Sequence, residues 1–310
     1  MASLASSGLS LPNHLAAGVW SKAQKGSTLV ALSGQSPMLF GTTQYMTMTQ
    51  RPKAQIVSEG AQKSQTPPAF GSVNAVPRKA QITIRTNEEF KWADQDYQLG
   101  VLTEVADAAS VALSRAIDLV AYHGINPLDG KALSGSPVKL LDTTNAVEQT
   151  ADSKPDDDLT AAVGLVIADG YTPNGLAADP AFSFALATVK DSTGRRIYPE
   201  LGFGVNPTNI LGLNASVSDT VSAPEAAVAG GAYATDNPNV KAIVGDYATG
   251  IRWGVQRNIP IELIEYGDPD NTGQDLKGAN QIALRAEVVF GVAIFDVDAF
   301  SKVVDTVANS

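Results

Sequence analysis

The sequence predicts an α+β fold that carries one projecting hairpin. Three observations point there. A single long segment, Asp94 to Gly124, has helical periodicity. Short alternating stretches lie on both sides of it. Between two of those stretches runs a polar, proline-tipped excursion, "IVSEGAQKSQTPPAF" from Ile56 to Phe70, with too few apolar side chains to hold itself in a core. At 310 residues, 44% hydrophobic and 17% charged, the chain has ample material for one large or two modest domains.

Taken in order, residues 1 to 36 are rich in Ser, Gly and Ala and read as an extended arm. From Gln44 to Thr49, Met46 and Met48 alternate with Tyr45, Thr47 and Thr49, a strand that Pro52 confines to an edge. Gln81 to Arg85 alternates again, with Ile82 and Ile84 on one face, and the pair of strands predicts a hairpin joined through the polar tip. Such a ribbon is marginal alone in water and needs outside support. In the long helix Leu102, Val105, Ala109, Ala112, Leu113, Ala116, Ile117 and Val120 recur at spacings of three and four. About 25 helical residues span about 38 Å, a length suited to a spine. By the same periodicity Glu104, Asp107, Ser114, Arg115 and Asp118 form its polar positions, with the carboxylates facing outward.

Beyond it, residues 125 to 158 read as a turn-rich connection ending in "DSKPDDD". Leu159–Ala168 and Ala181–Lys190 predict short helices. Three short strands are expected between Val240 and Tyr266, then a turn at "GDPDNTG" and a long half-buried strand from Gln281 to Phe295. Phe300, Val303, Val304 and Val307 stand at helical spacing after an Asp cap. No internal repeat is seen.

Composition excludes several classes of function. Cysteine is absent, which removes disulfides and thiolate zinc sites. No apolar run is long enough for a membrane helix, and the start lacks the basic region of a secretory signal. The two histidines give little for a triad: His14 lies in the arm, and His123 ends the long helix, where contact with the last carbonyls is the ordinary role. "GFGVNP" begins like a dinucleotide fingerprint, but Pro207 stands where the third glycine belongs. Asp268, Asp270, Thr272 and Gly273 begin like a calcium loop, yet Ala279 occupies the twelfth position, so a turn is expected. Asp156, Asp157 and Asp158 read as a solvated linker rather than a cation site. No catalytic, cofactor or metal residues are assigned, although a hydrolase using the clusters at Asp156 or Asp268 is a reading from another class.

Charge is the most informative number. Residues 1 to 85 hold eight basic side chains (Lys22, Lys25, Arg51, Lys53, Lys63, Arg78, Lys79, Arg85) against one acid, Glu59, while the whole chain carries −10. A cationic front and an anionic body attract each other between copies. A nucleic-acid arm is the alternative, but the basic residues are sparse and lack interleaved aromatics.

Several phrases, in their order, resemble one family. "VSEGAQKSQTPPAF" is similar to the tip of the extended loop of tailed-bacteriophage major capsid proteins of the Hong Kong 97 type, and "AQITIRTNEEF" to its lead into the spine helix. "LATVKDSTGRRIYP" with "NILGLNASVSDTV" resembles the "K-D-x-x-G-R … L-L-G-x-P-V" segment, with Asn214 in place of the usual proline. "GDYATGIRWGVQRNIPIELIEYGD" and "LRAEVVFGVAIFDVDAF" resemble the closing strands. The resemblance covers residues 36 to 305. It implies an N-terminal arm (1–43), an extended loop (44–86), a peripheral domain (87–150 and 268–310) with the spine helix, and an axial domain (151–267).

The implied function is a shell subunit forming pentamers and hexamers around phage double-stranded DNA, bound without sequence specificity, in virions assembled in the host bacterial cytoplasm. The loop's Arg51, Lys53, Glu59, Lys63, Arg78 and Lys79 would contact an adjacent acidic subunit. The arm is too short for a fused scaffolding region, which implies a separate scaffolding protein, alongside a portal and a decoration protein. No lysine–asparagine crosslinking motif is matched. An encapsulin-like compartment of the same fold is the alternative.

Overall fold

The computed structural model describes residues 26–38, 41–50, 53–63, 69–89, 95–135, 137–150, 153–198, 201, 207–223 and 239–305. In chain order these form α1 (Thr28–Leu32), β1 (Gly34–Gln35), β2 (Thr43–Gln50), β3 (Ala69–Ala75), β4 (Arg78–Asn87) and α2 (Gln95–Tyr122). Then come β5 (Ala146–Gln149), α3 (Pro155–Ala168), β6 (Gly175–Ala178), α4 (Pro180–Thr188), β7 (Asn209–Ile210) and β8 (Leu213–Val217). The chain closes with β9 (Asn239–Gly245), β10 (Ile251–Ile264), β11 (Gln281–Ile294) and β12 (Phe300–Asp305). The mixed class and the spine helix agree with the sequence reading.

One sheet has the order β1-β10-β11-β4, and α2 packs on its β4 and β11. The helix buries Ala106, Ala109, Leu113, Ile117 and Ala121 against Ile282, Leu284, Val288 and Phe290 of β11 and Trp253 of β10. Its 28 residues span about 42 Å at 1.5 Å each. The second sheet has the order β5-β12-β9-β6-β8-β7. It is buried on both faces: Val240, Ile243, Phe300 and Val304 join the core shared with α2, while Ala242, Val244 and Val303 face the core beneath α3 and α4.

Four expectations need correction. The ribbon is β2 paired with β3, Met46 opposite Ser72 and Met48 opposite Phe70. Gln81–Arg85 belongs to β4, which pairs with β11 in the larger sheet. "AFGSVNA" is too small and polar to carry a strand signal of its own, and the next alternating run lies in β4. The C-terminal helix is strand β12: Val303 and Val304 face different cores by ordinary strand alternation, and both being buried, three and four residues after Phe300, imitates helical spacing. The last two of the three short strands are one, β10, continuous through bulges at Val255/Arg257 and Ile259/Glu262. Asp156–Asp158 are not linker but the first turn of α3, where Asp158 is buried and accepts from Ser153 Oγ at 3.1 Å and Gln149 Nε2 at 3.2 Å.

The described part of the arm is a strap across both sheets. α1 packs on β6, β8 and α2, β1 adds to β10 in parallel, and Met38 ends on β11. Its anchor is Asp118, predicted to face outward but fully buried. That carboxylate accepts from Thr28 N at 3.0 Å, Thr28 Oγ1 at 2.8 Å, Leu29 N at 3.2 Å, Thr220 Oγ1 at 2.7 Å, and Ser27 Oγ. Thr28 Oγ1 also lies 2.8 Å from Tyr122 Oη, one helical turn further along α2.

Met38 sits where two glycines face each other across β10 and β11, Gly254 opposite Gly291. A Cβ on Gly254 would run into the Ser36 carbonyl oxygen, so only glycine leaves room there, while a Cβ on Gly291 would stand 2.5 Å from Met38 Cε and displace the end of that side chain. Gly291→Val is therefore expected to unseat Met38 and cost about 1–3 kcal/mol, read as a lowered Tm with loss of protection from proteolysis near residues 36–38.

Candidate inter-subunit surface

The β2–β3 ribbon has two unlike faces because side chains alternate along each strand. Tyr45 and Val73 turn inward. They pack with Met38, Ala75 and Ala293, and the Tyr45 ring meets Phe295 edge-on at 5.5 Å. The opposite face carries Met46, Met48 and Phe70, which are 78%, 50% and 59% exposed. Beyond it the tip presents Ile56, wholly exposed. A ribbon with a seated base and an uncovered apolar outer face is built to be covered by something else.

The charged residues expected on this loop divide into two groups. Lys53, Glu59 and Lys63 lie exposed along the tip, while Arg51 lies outside the described residues. Arg78 and Lys79 are not on the ribbon but on β4. Lys79 Nζ pairs with the nearly buried Glu287 at 2.7 Å, and Arg78 reaches the Ser134 carbonyl at 3.4 Å, so both make contacts within their own chain. The apolar triad is what sequence reasoning missed. An alternating Met pair reads equally as a core face or a docking face, and only the exposure of Met46, Met48 and Phe70 shows that none of the described residues covers it.

Elsewhere the polar clusters are structural. Arg85 projects from β4 into the "GDPDNTG" turn, bonding Asp268 at 2.6 Å, both Asp270 oxygens, Thr272 Oγ1 at 2.7 Å and the Gln274 carbonyl at 3.1 Å. The guanidinium takes the position a cation would occupy in such a loop. Its hydrogen bond holds Asp270 down at about 2. Since that lies below the ordinary aspartate value, this clamp is fully present above the unfolded pKa and is lost as pH falls through 2.

His123 is buried with Nε2 at 3.0 Å from both the Thr220 and Val221 carbonyls, tying the end of α2 to the segment after β8. "GFGVNP" lies outside the described residues except for Pro207. Among the described residues, no group of three or more His, Asp or Glu is placed to hold a metal ion, and no helix is long and apolar enough to cross a membrane.

Comparison with known proteins agrees with this surface-dominated picture. The model of the phage capsid family matches residues 7–305. A solved structure from Mycobacterium phage Ogopogo is 52% identical, with a TM-score of 0.81 over 90% of this chain and 92% of its own. One from Gordonia phage Cozz is 28% identical, with a TM-score of 0.74 over 90% of this chain and 86% of its own. A structure described as the capsid of an empty GTA particle computed with C5 symmetry shares only 14% identity, yet its TM-score is 0.62 over 90% of each chain. No curated protein matches. These likenesses favour a virion shell over an encapsulin-like compartment. With a Hong Kong 97-type fold, an uncovered ribbon and a family match over nearly its whole length, the chain belongs to the phage capsid family as a major capsid protein, a structural subunit of the virion.

Proposed function

We propose that this subunit assembles into the pentamers and hexamers of an icosahedral shell around phage duplex DNA, the ribbon of each copy lying on its neighbour. The observation that carries this is the apolar outer face of Met46, Met48 and Phe70, which the described residues leave bare. Exposed ion pairs contribute only about 0–1 kcal/mol each, so apolar burial holds the contact and the tip charges Lys53, Glu59 and Lys63, with Arg51, set its register. Arg78 and Lys79 act at the ribbon's root, where Lys79 already pairs with Glu287.

In this reading residues 1–43 are the arm and 44–86 the extended loop. The segments 87–150 and 268–310 form the peripheral region, and 151–267 gather near the capsomer axis. β5 and β12 belong to the peripheral segments by sequence but pair inside the six-stranded sheet, which brings the two regions together. The fivefold symmetry of the GTA capsid supports a pentameric vertex. A net charge of −10 supports enclosing DNA without tight or sequence-specific adhesion. The family implies a separate scaffolding protein, a portal and a decoration protein, with assembly in the host bacterial cytoplasm.

The test is co-expression with the neighbouring scaffolding gene product, followed by sedimentation and negative-stain imaging. Closed particles are expected; monomers alone under every condition overturn the reading.

A further inference from the structure

Sulfur is unevenly placed in this subunit. The chain has no cysteine and four methionines, Met1, Met38, Met46 and Met48, so every sulfur atom in it is a thioether. Met1 lies outside the described residues. Met38 is only 7% exposed, wedged over the paired glycines, where a Cβ on Gly254 would stand 2.6 Å from its Cγ and one on Gly291 would stand 2.8 Å from its Sδ. Met46 and Met48 are 78% and 50% exposed.

Their position matters as much as their exposure. Two residues apart on β2, they share one face of the ribbon, and Phe70 stands opposite Met48 in the register. The base of the ribbon is seated by Tyr45, Val73 and Ala75 instead. The accessible sulfurs therefore lie on the face left for docking and not on the face that holds the ribbon to its own subunit.

A thioether is open to two-electron oxidation by a peroxide. The sulfur lone pair takes one peroxide oxygen as the O–O bond breaks. The proton of that oxygen passes to the departing hydroxide, so sulfur ends as the sulfoxide and the other oxygen leaves as water. No thiol in the chain competes for the oxidant. The product replaces a flexible apolar side chain by one with a strong S–O dipole. In the free subunit that dipole stays in water and costs the fold nothing. On a covered apolar face it must be desolvated without a donor.

We propose that Met46 and Met48 form a modification site that gates assembly: peroxide converts the free subunit to a folded form unable to dock, methionine sulfoxide reductases restore it, and burial in the shell shields both sulfurs. This rests on the ribbon docking proposed above.

The test treats the full-length subunit with dilute hydrogen peroxide before scaffolding protein is added. Peptide mass spectrometry is expected to find added oxygen on Met46 and Met48 well before Met38, with an unchanged circular dichroism melt. Particle yield by sedimentation is expected to fall about tenfold or more, and the two reductases, one for each sulfoxide epimer, to restore it. Met46→Leu with Met48→Leu keeps the face apolar and leaves Met1 and Met38 as targets, so this variant is expected to assemble both before and after peroxide. One readout needs wild type alone: in a partly oxidised sample, copies recovered in particles are expected to be poorer in sulfoxide at Met46 and Met48 than copies left free.

Oxidised subunit that assembles at the untreated yield overturns the proposal and leaves the ribbon reading standing. So do equal sulfoxide contents in particles and free copies, Met38 oxidised as fast as Met46, a melt that falls along with the yield, or a leucine variant that peroxide disables as it does wild type. Finished particles whose Met46 and Met48 oxidise as fast as in the free subunit overturn both readings, because the outer face would then be uncovered in the shell.

Discussion

Replacing Met46, Met48 and Phe70 together by aspartate is expected to give a folded, soluble subunit that forms no particles. The three side chains lie on one face of the ribbon, with Met48 opposite Phe70 in the register, and none contributes to the packed base. The substitutions therefore remove no contact that the isolated subunit needs, and Tm should stay within a few degrees of wild type. In the shell each fully covered side chain of this size contributes about 1.5–3 kcal/mol, and an aspartate must be desolvated in its place. Losing even about 1.4 kcal/mol at each of three positions weakens one contact about a thousandfold. In the proposed assembly every subunit gives its ribbon once and receives another, so the loss would recur around the whole shell. Sedimentation and negative-stain imaging read the result. Particles at wild-type yield would mean that the outer face is not covered in the assembly. Tyr45→Ala is the contrasting case, because it removes the ring that meets Phe295 and should lower the subunit's own stability.

Much of this surface was legible in the sequence as a need for support, and less of it as a set of atoms. The spine helix could be read because one face meets one core, so its 3.6-residue period survived intact. Strands β9 and β12 were harder because the six-stranded sheet has a core on each side. Adjacent Val303 and Val304 are both buried, in different cores, and period two disappears from the sequence. β3 gave almost no signal, since its Gly, Ser and Asn residues need only backbone pairing with β2 and Ala75 packs with too small a side chain to mark a buried face. The cationic tip was visible from charge counting. The apolar triad was not, because whether a methionine is covered depends on what the rest of the chain leaves uncovered. Asp118 failed for a related reason. Helical periodicity assigns it to the wet side, and the strap that dries that side comes from some 90 residues earlier, as the separations in its hydrogen bonds show.

Asp118→Ala should be the most damaging single substitution inside the subunit, lowering stability by about 3–5 kcal/mol. Five donors converge on its carboxylate, and three of the four residues that supply them lie in the strap. Alanine leaves those groups buried without an acceptor, each costing about 1–3 kcal/mol unless water enters. The expected consequence is local before it is global. Ser27, Thr28 and Leu29 lose their hold on α2, and the strap that bridges β6 and β8 to β10 lifts from both sheets, so amides of residues 27–36 exchange faster than those of β11.

Asparagine separates charge from shape. Burial raises the Asp118 pKa and outweighs the hydrogen bonds that lower it. Its folded value therefore lies above its unfolded one, and the stability linked to this group is fully present below the unfolded pKa and declines as pH rises through the folded value. Asp118→Asn removes that titration but turns an amide N–H₂ toward a shell of donors, so it should be less stable than wild type, with a flatter dependence of Tm on pH. Equal Tm profiles for Asp118→Ala and wild type between pH 4 and pH 8 would show that the strap is held by packing of Leu29 and Met38 alone.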